Sequence, residues 1–88
     1  MNVEFRQRFE KDLENIADPK VLTRLESALE EVRKAKSQGA VHNLNKLSGK
    51  PGYYRIRVGD YRIGFKLVAG TAIFLRCLHR KDIYRHFP

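Results

Sequence analysis

Five arginines stand at short intervals in the second half of an 88-residue chain, at Arg55, Arg57, Arg62, Arg76 and Arg80. Aromatic and aliphatic residues are threaded between them, as in Tyr53-Tyr54-Arg55-Ile56-Arg57-Val58 and Tyr61-Arg62-Ile63. A guanidinium keeps its charge at any physiological pH and presents a planar fork of donors that matches phosphate oxygens. The formal charge of +8 lies wholly in residues 39–88, where ten Lys and Arg meet only Asp60 and Asp82; residues 1–38 carry eight of each sign. A one-sided cationic field concentrates polyanions, and solubility alone does not need segregated charge. The expected partner is nucleic acid. No Asp, Glu, His or Cys set has metal-ligand spacing, since His79 and His86 are seven apart without a carboxylate pair. No metal and no cofactor is expected.

The elements that must hold these arginines are few. The length allows one domain over residues 1–88, and apolar and charged shares of 42% and 32% describe a small core under a charged surface. No apolar run approaches the ~20 residues of a membrane span, and the first six residues lack the order of a signal peptide. The lone cysteine, Cys77, lies in the apolar run 73–78, which predicts a buried thiol rather than a nucleophile. A cytoplasmic protein without a membrane partner is expected.

Residues 2–5 are compatible with a short strand. Phe5, Phe9, Leu13 and Ile16 recur at helical intervals, predicting a helix from about Arg6 to Ile16. Asp18 then serves as N-cap with Pro19 at the first helical position, and Leu22, Leu25, Leu29 and Val32 carry a second helix to about Lys36. Glu30 and Lys34 add an i,i+4 pair. After the loop Ser48–Gly52, three strands joined by Gly59-Asp60 and Ala69-Gly70-Thr71 predict an antiparallel meander. The last residues read as a turn or short helix anchored by Ile83 and Phe87. The fold class is α+β, a two-helix hairpin on one face of a small twisted sheet.

Alternation along strands divides the side chains between two faces. It places Tyr54, Ile56, Val58, Tyr61, Ile63, Phe65, Ile73 and Leu75 toward the helices. The opposite face then collects Arg55, Arg57, Arg62, Lys66, Arg76 and Arg80 as a basic platform that no helix covers. Tyr53 shares that face.

Three segments carry a family resemblance: Leu47-Ser48-Gly49, Tyr54–Ile63 and His79-Arg80-Lys81-Asp82-Ile83-Tyr84. They resemble the RelE/ParE toxin superfamily, in particular its RelE branch of ribosome-dependent mRNA endoribonucleases, and length and element order are similar over the whole chain. The resemblance implies a RelE-like fold and a toxin neutralised by a RelB-like antitoxin, in a toxin–antitoxin hetero-oligomer. It implies metal-free cleavage of mRNA on the ribosome, in which the 2′-hydroxyl attacks the adjacent phosphorus and leaves a 2′,3′-cyclic phosphate. Such chemistry requires a base, an acid and cations around the phosphorane.

Carried over by position, Arg62 matches an arginine on the reacting phosphate, Arg80 one assigned to the leaving group, and Tyr84 a tyrosine that orients substrate. Arg55 and Arg57 stand where the best-known RelE proteins have lysines. With Lys66, Arg76 and Lys81 they are the expected phosphate-binding set. A guanidinium with a pKa above ~12 accepts protons poorly, which leaves His79 or Tyr84 as the general base. Two other readings stay open: a ParE-like inhibitor of DNA gyrase, and a relative that binds RNA or ribosome without cutting.

Overall fold

A computed structural model describes all of residues 1–88. The chain runs β1 (Asn2–Phe5), α1 (Gln7–Glu14), α2 (Pro19–Lys34), β2 (Leu44–Lys46), β3 (Tyr53–Val58), β4 (Tyr61–Val68), β5 (Thr71–His79) and α3 (Arg80–His86). The five strands form one sheet in the order β1-β5-β4-β3-β2. The predicted meander is β3-β4-β5, and β1 adds parallel to β5. No helix is long and apolar enough to cross a membrane.

Local chemistry sets the helix starts. The Asp18 carboxylate accepts the Lys20 N–H at 2.9 Å, which caps α2 one residue before Pro19. Phe9, Ile16, Leu25 and Val32 from the helical segments meet Tyr54, Ile56, Val58, Ile63 and Phe65 on one face of the sheet. The rings of Phe5, Phe9 and Phe74 pack together where β1, α1 and β5 meet, with centroids 5.4–5.8 Å apart. Leu13, Leu22 and Leu29 are only partly buried at the rim of this core.

Three expectations are corrected. Gly64 pairs with Arg76 but Phe65 with Phe74, so Leu75 is an extra residue in β5. A bulge of this kind reverses the alternation on one side of it. Phe74 is therefore fully buried beneath the helices, while Ile73, opposite Lys66, and Leu75 lie on the other face. Second, β2 was not foreseen; its three residues Leu44-Asn45-Lys46 have too little apolar alternation to signal a strand. Third, the face opposite the hairpin is not bare. α3 folds back across it and buries Ile83 and Phe87 with Leu47, against Tyr53, Leu75 and Leu78.

Gly64 permits that crossing. A Cβ at this position would stand 2.7 Å from the Phe87 ring, closer than real carbon contacts allow. A glycine inside a strand often marks such a close approach.

Candidate functional site

The open part of the sheet lies on β3 and β4, beside α3. Tyr53, Arg55 and Arg57 project from β3, and the register sets Lys66, Gly64 and Arg62 of β4 directly opposite them. Arg57 and Arg62 are thus cross-strand neighbours of like charge, which is unfavourable in an empty site. Neither forms an ion pair. Arg62 bends toward the β3–β4 turn, where its Nη1 donates to the carbonyl oxygens of Gly59 at 2.8 Å and Tyr61 at 2.9 Å.

α3 brings in the remaining groups. The backbone N–H of Arg80 donates to the Asp60 carbonyl at 2.7 Å, which fixes the start of the helix against the same turn. The Arg80 side chain lies 3.9 Å from the Asp60 carboxylate with both groups largely exposed, a contact of little energetic weight. One turn on, Tyr84 is 64% exposed, and the Arg55 guanidinium stands 4.6 Å over its ring. Lys66 covers the Tyr53 ring in the same manner at 5.1 Å, and Tyr53 meets Phe87 edge-on. Each cation–π contact holds a charge in place without neutralising it. Arg55, Arg57, Arg62, Lys66, Arg80 and Tyr84 therefore border one surface, with Lys81 exposed at the start of α3.

Two expected members are elsewhere. Arg76 is drawn off the platform by Asp12 of α1: its Nε and Nη2 donate to the two carboxylate oxygens at 2.8 and 3.2 Å, and both side chains are nearly buried. The Cys77 N–H also donates to Asp12, at 2.9 Å. Arg76 follows directly on the bulge residue Leu75. His79 pairs with Tyr61 across β4 and β5, ring against ring at 5.7 Å, which puts it on the side of the helical hairpin. Its Nδ1 accepts the Lys81 N–H at 3.2 Å, so His79 is the N-cap of α3.

Asp12 was the residue missed. Its place three after Phe9 and four before Ile16 puts it on the apolar stripe of α1, and a carboxylate there needs a buried partner. Cys77 is buried beside it; desolvation, then the Asp12 charge, push its thiol up to about 12, so it is inert. His42 lies away from the platform and pairs with Glu31 of α2. No three His, Cys, Asp or Glu side chains converge anywhere in the chain.

The family described as "ParE toxin of type II toxin-antitoxin system, parDE" matches residues 3–84. The chain is 40% identical to Toxin RelE3 of Methanocaldococcus jannaschii over the full length of both proteins. It is similar to the toxin in a RelB–RelE antitoxin–toxin complex from Methanococcus jannaschii, with 39% identity, a TM-score of 0.81, and coverage of 97% of this chain and 99% of that one. The toxin of a RelE–RelB complex from Pyrococcus horikoshii OT3 shares the fold at 19% identity, with a TM-score of 0.73 and coverage of 90% and 93%. With this sequence match, this fold and this arginine-lined face, the chain belongs to the RelE/ParE toxin superfamily.

Proposed function

We propose that the protein is a ribosome-dependent mRNA endoribonuclease that inhibits translation in the cytoplasm. The observation that carries this reading is the unpaired Arg57–Arg62 pair flanked by Arg80 and by the exposed ring of Tyr84. Clustered guanidiniums, of which only Arg80 has a carboxylate nearby and that one exposed, suit the charge that builds on phosphate oxygens in a transition state.

In the proposed reaction the 2′-oxygen forms a bond to the adjacent phosphorus and the P–O5′ bond breaks. The 2′-hydroxyl proton passes to a base, and the departing 5′-oxygen takes up a proton. Arg62 faces the non-bridging oxygens and Arg80 the leaving oxygen. Arg55, Arg57, Lys66 and Lys81 hold neighbouring phosphates, and Tyr84 stacks a base. Of the two candidate proton acceptors, Tyr84 borders the platform whereas His79 caps α3 from the other side of the sheet. The base is then Tyr84 or a group of the ribosome, and His79 acts by holding α3.

The antitoxin expected for this chain is RelB-like, because the similar toxin of Methanococcus jannaschii is found in a RelB–RelE complex. A toxin–antitoxin hetero-oligomer with the acidic partner over the platform follows from the charge. The ParE description of the matching family favours a second reading, a gyrase inhibitor on the same fold. Purified protein added to programmed ribosomes, with mapping of mRNA ends, separates the readings. Discrete cuts at codon-fixed positions support the nuclease. Intact mRNA on saturated ribosomes defeats it, and loss of gyrase supercoiling in a parallel assay would establish the alternative.

A further inference from the structure

Arg24 lies on α2, in the half of the chain whose charges sum to zero, yet its guanidinium rests on the β3–β4 turn. A Cβ at Gly59 would stand 2.8 Å from its Nη1 and 3.3 Å from its Cζ. Gly59 also has a φ of +58°, a left-handed conformation that favours glycine, and the missing side chain leaves room for the guanidinium. The same two-residue turn receives Arg62 through the Gly59 carbonyl and the Arg80 N–H through the Asp60 carbonyl. Arginines from three elements thus meet at one turn, and Arg24 has no carboxylate partner.

Beside this turn a groove of about 280 Å³ runs between α2 and the end of β3, lined by Thr23, Arg24, Ser27, His42, Asn43 and Arg57 among others. Arg57, at the end of β3, borders both the platform and the groove. The one carboxylate in the groove, Glu31, is occupied by His42, whose Nδ1 and N–H lie 2.5 and 3.2 Å from its oxygens. Ala28, Ile56 and Val58 form an apolar floor, and the polar groups around it include two guanidiniums without a carboxylate partner, which suit the phosphates and sugars of a nucleic-acid backbone.

We propose that this groove is a second RNA subsite, in which Arg24 and Arg57 clamp a phosphate flanking the one that reacts and the Ser27 hydroxyl and Asn43 amide meet its sugar. The proposal rests on the nuclease reading for its substrate class, but its test reads binding alone. The probe is a short fluorescein-labelled single-stranded RNA, titrated with wild-type protein and variants across a potassium chloride series. Arg24→Ala is expected to make the log–log salt slope shallower by about 0.7, with affinity about five-fold weaker near ~0.1 M salt. Ser27→Glu, which sets a carboxylate in the groove and leaves Arg24 intact, should weaken binding similarly. Arg33→Ala, on α2 and paired with Glu30, should change nothing. Thermal melts confirm that each variant is folded.

Unchanged slope and affinity in both groove variants overturn the proposal, as does a wild type with no affinity for this RNA. Loss of antitoxin affinity with RNA binding intact also overturns it and assigns the groove to a protein partner. A wild type that binds with the expected slope but leaves mRNA intact on saturated ribosomes defeats the nuclease reading and leaves the subsite standing.

Discussion

The Asp12 carboxylate grips the Arg76 guanidinium through two hydrogen bonds and joins α1 to the bulge in β5. Removing one partner of a buried pair leaves the other charge uncompensated, at a cost of about 3–5 kcal/mol. Asp12→Ala should therefore lower the urea midpoint steeply. The double variant Asp12→Leu/Arg76→Met should regain only part of the loss, because the Cys77 N–H stays without its acceptor. Arg76→Met in a folded protein should leave RNA affinity unchanged, whereas a drop would return Arg76 to the binding set.

Gly64→Ala tests the seat of α3. The new methyl meets the Phe87 ring, and such overpacking costs about 1–3 kcal/mol. The main core lies on the other face, so the expected result is a released C-terminal helix on an intact domain. Cleavage should fall, and amide exchange should quicken over residues 80–87 alone. Uniform exchange along the whole chain would contradict this.

Arg62 and Arg80 should matter most in the transition state. Each changed to Ala is expected to slow mRNA cleavage by about 10²–10³ while ribosome binding falls much less. Arg55→Ala and Arg57→Ala should weaken both. Single-turnover rates on saturated ribosomes, set beside binding isotherms, make the separation; equal losses in both measurements would remove the distinction drawn between the two pairs.

His79 is read as the residue that positions α3. Losing an N-cap typically costs about 1 kcal/mol, and Asn is among the best caps. His79→Ala should reduce activity and loosen α3, while His79→Asn should recover both. A rescue of helix order without rescue of cleavage would show that the imidazole itself carries the proton.

His42 supplies the pH dependence. The hydrogen bond that His42 donates to the Glu31 carboxylate, and then the carboxylate's charge, raise the imidazole pKa above the ordinary 6.5. A raised folded pKa gives a contribution to stability that is full below the unfolded value and lost as pH rises through the folded one. An NMR titration should place His42 above 6.5, and Glu31→Gln should bring it back down. An unshifted wild-type imidazole would remove this pair as a pH-dependent contact.

The legible parts of this molecule were those governed by local rules. Asp18-Pro19 announced α2, and the alternation of Ile56 with Arg57 and of Ile63 with Arg62 placed the faces of β3 and β4 correctly. Alternation failed at Leu75, because a bulge depends on what the neighbouring strand offers and leaves no mark in one strand's own pattern. For the same reason Arg76 read as a surface cation until Asp12, 64 residues earlier, was seen beside it. Parity placed Arg55, Arg57 and Arg62 on one face, but the covering by α3 was not legible, since Ile83 and Phe87 show that a segment has an apolar side without showing where it docks.

The parallel pairing of β1 with β5 joins Asn2 to Thr71 and Phe5 to Phe74, so the first strand made is seated only by the last. β5 also lies between β1 and β4, inside the sheet. During synthesis α1 and Phe9 must wait for the final strand, because Phe74 is the surface on which they close. Contacts of such long sequence separation form late and slowly. The helix that carries Arg80 and Tyr84 emerges later still. The arginine face therefore takes shape only after β5 and α3 have both been made.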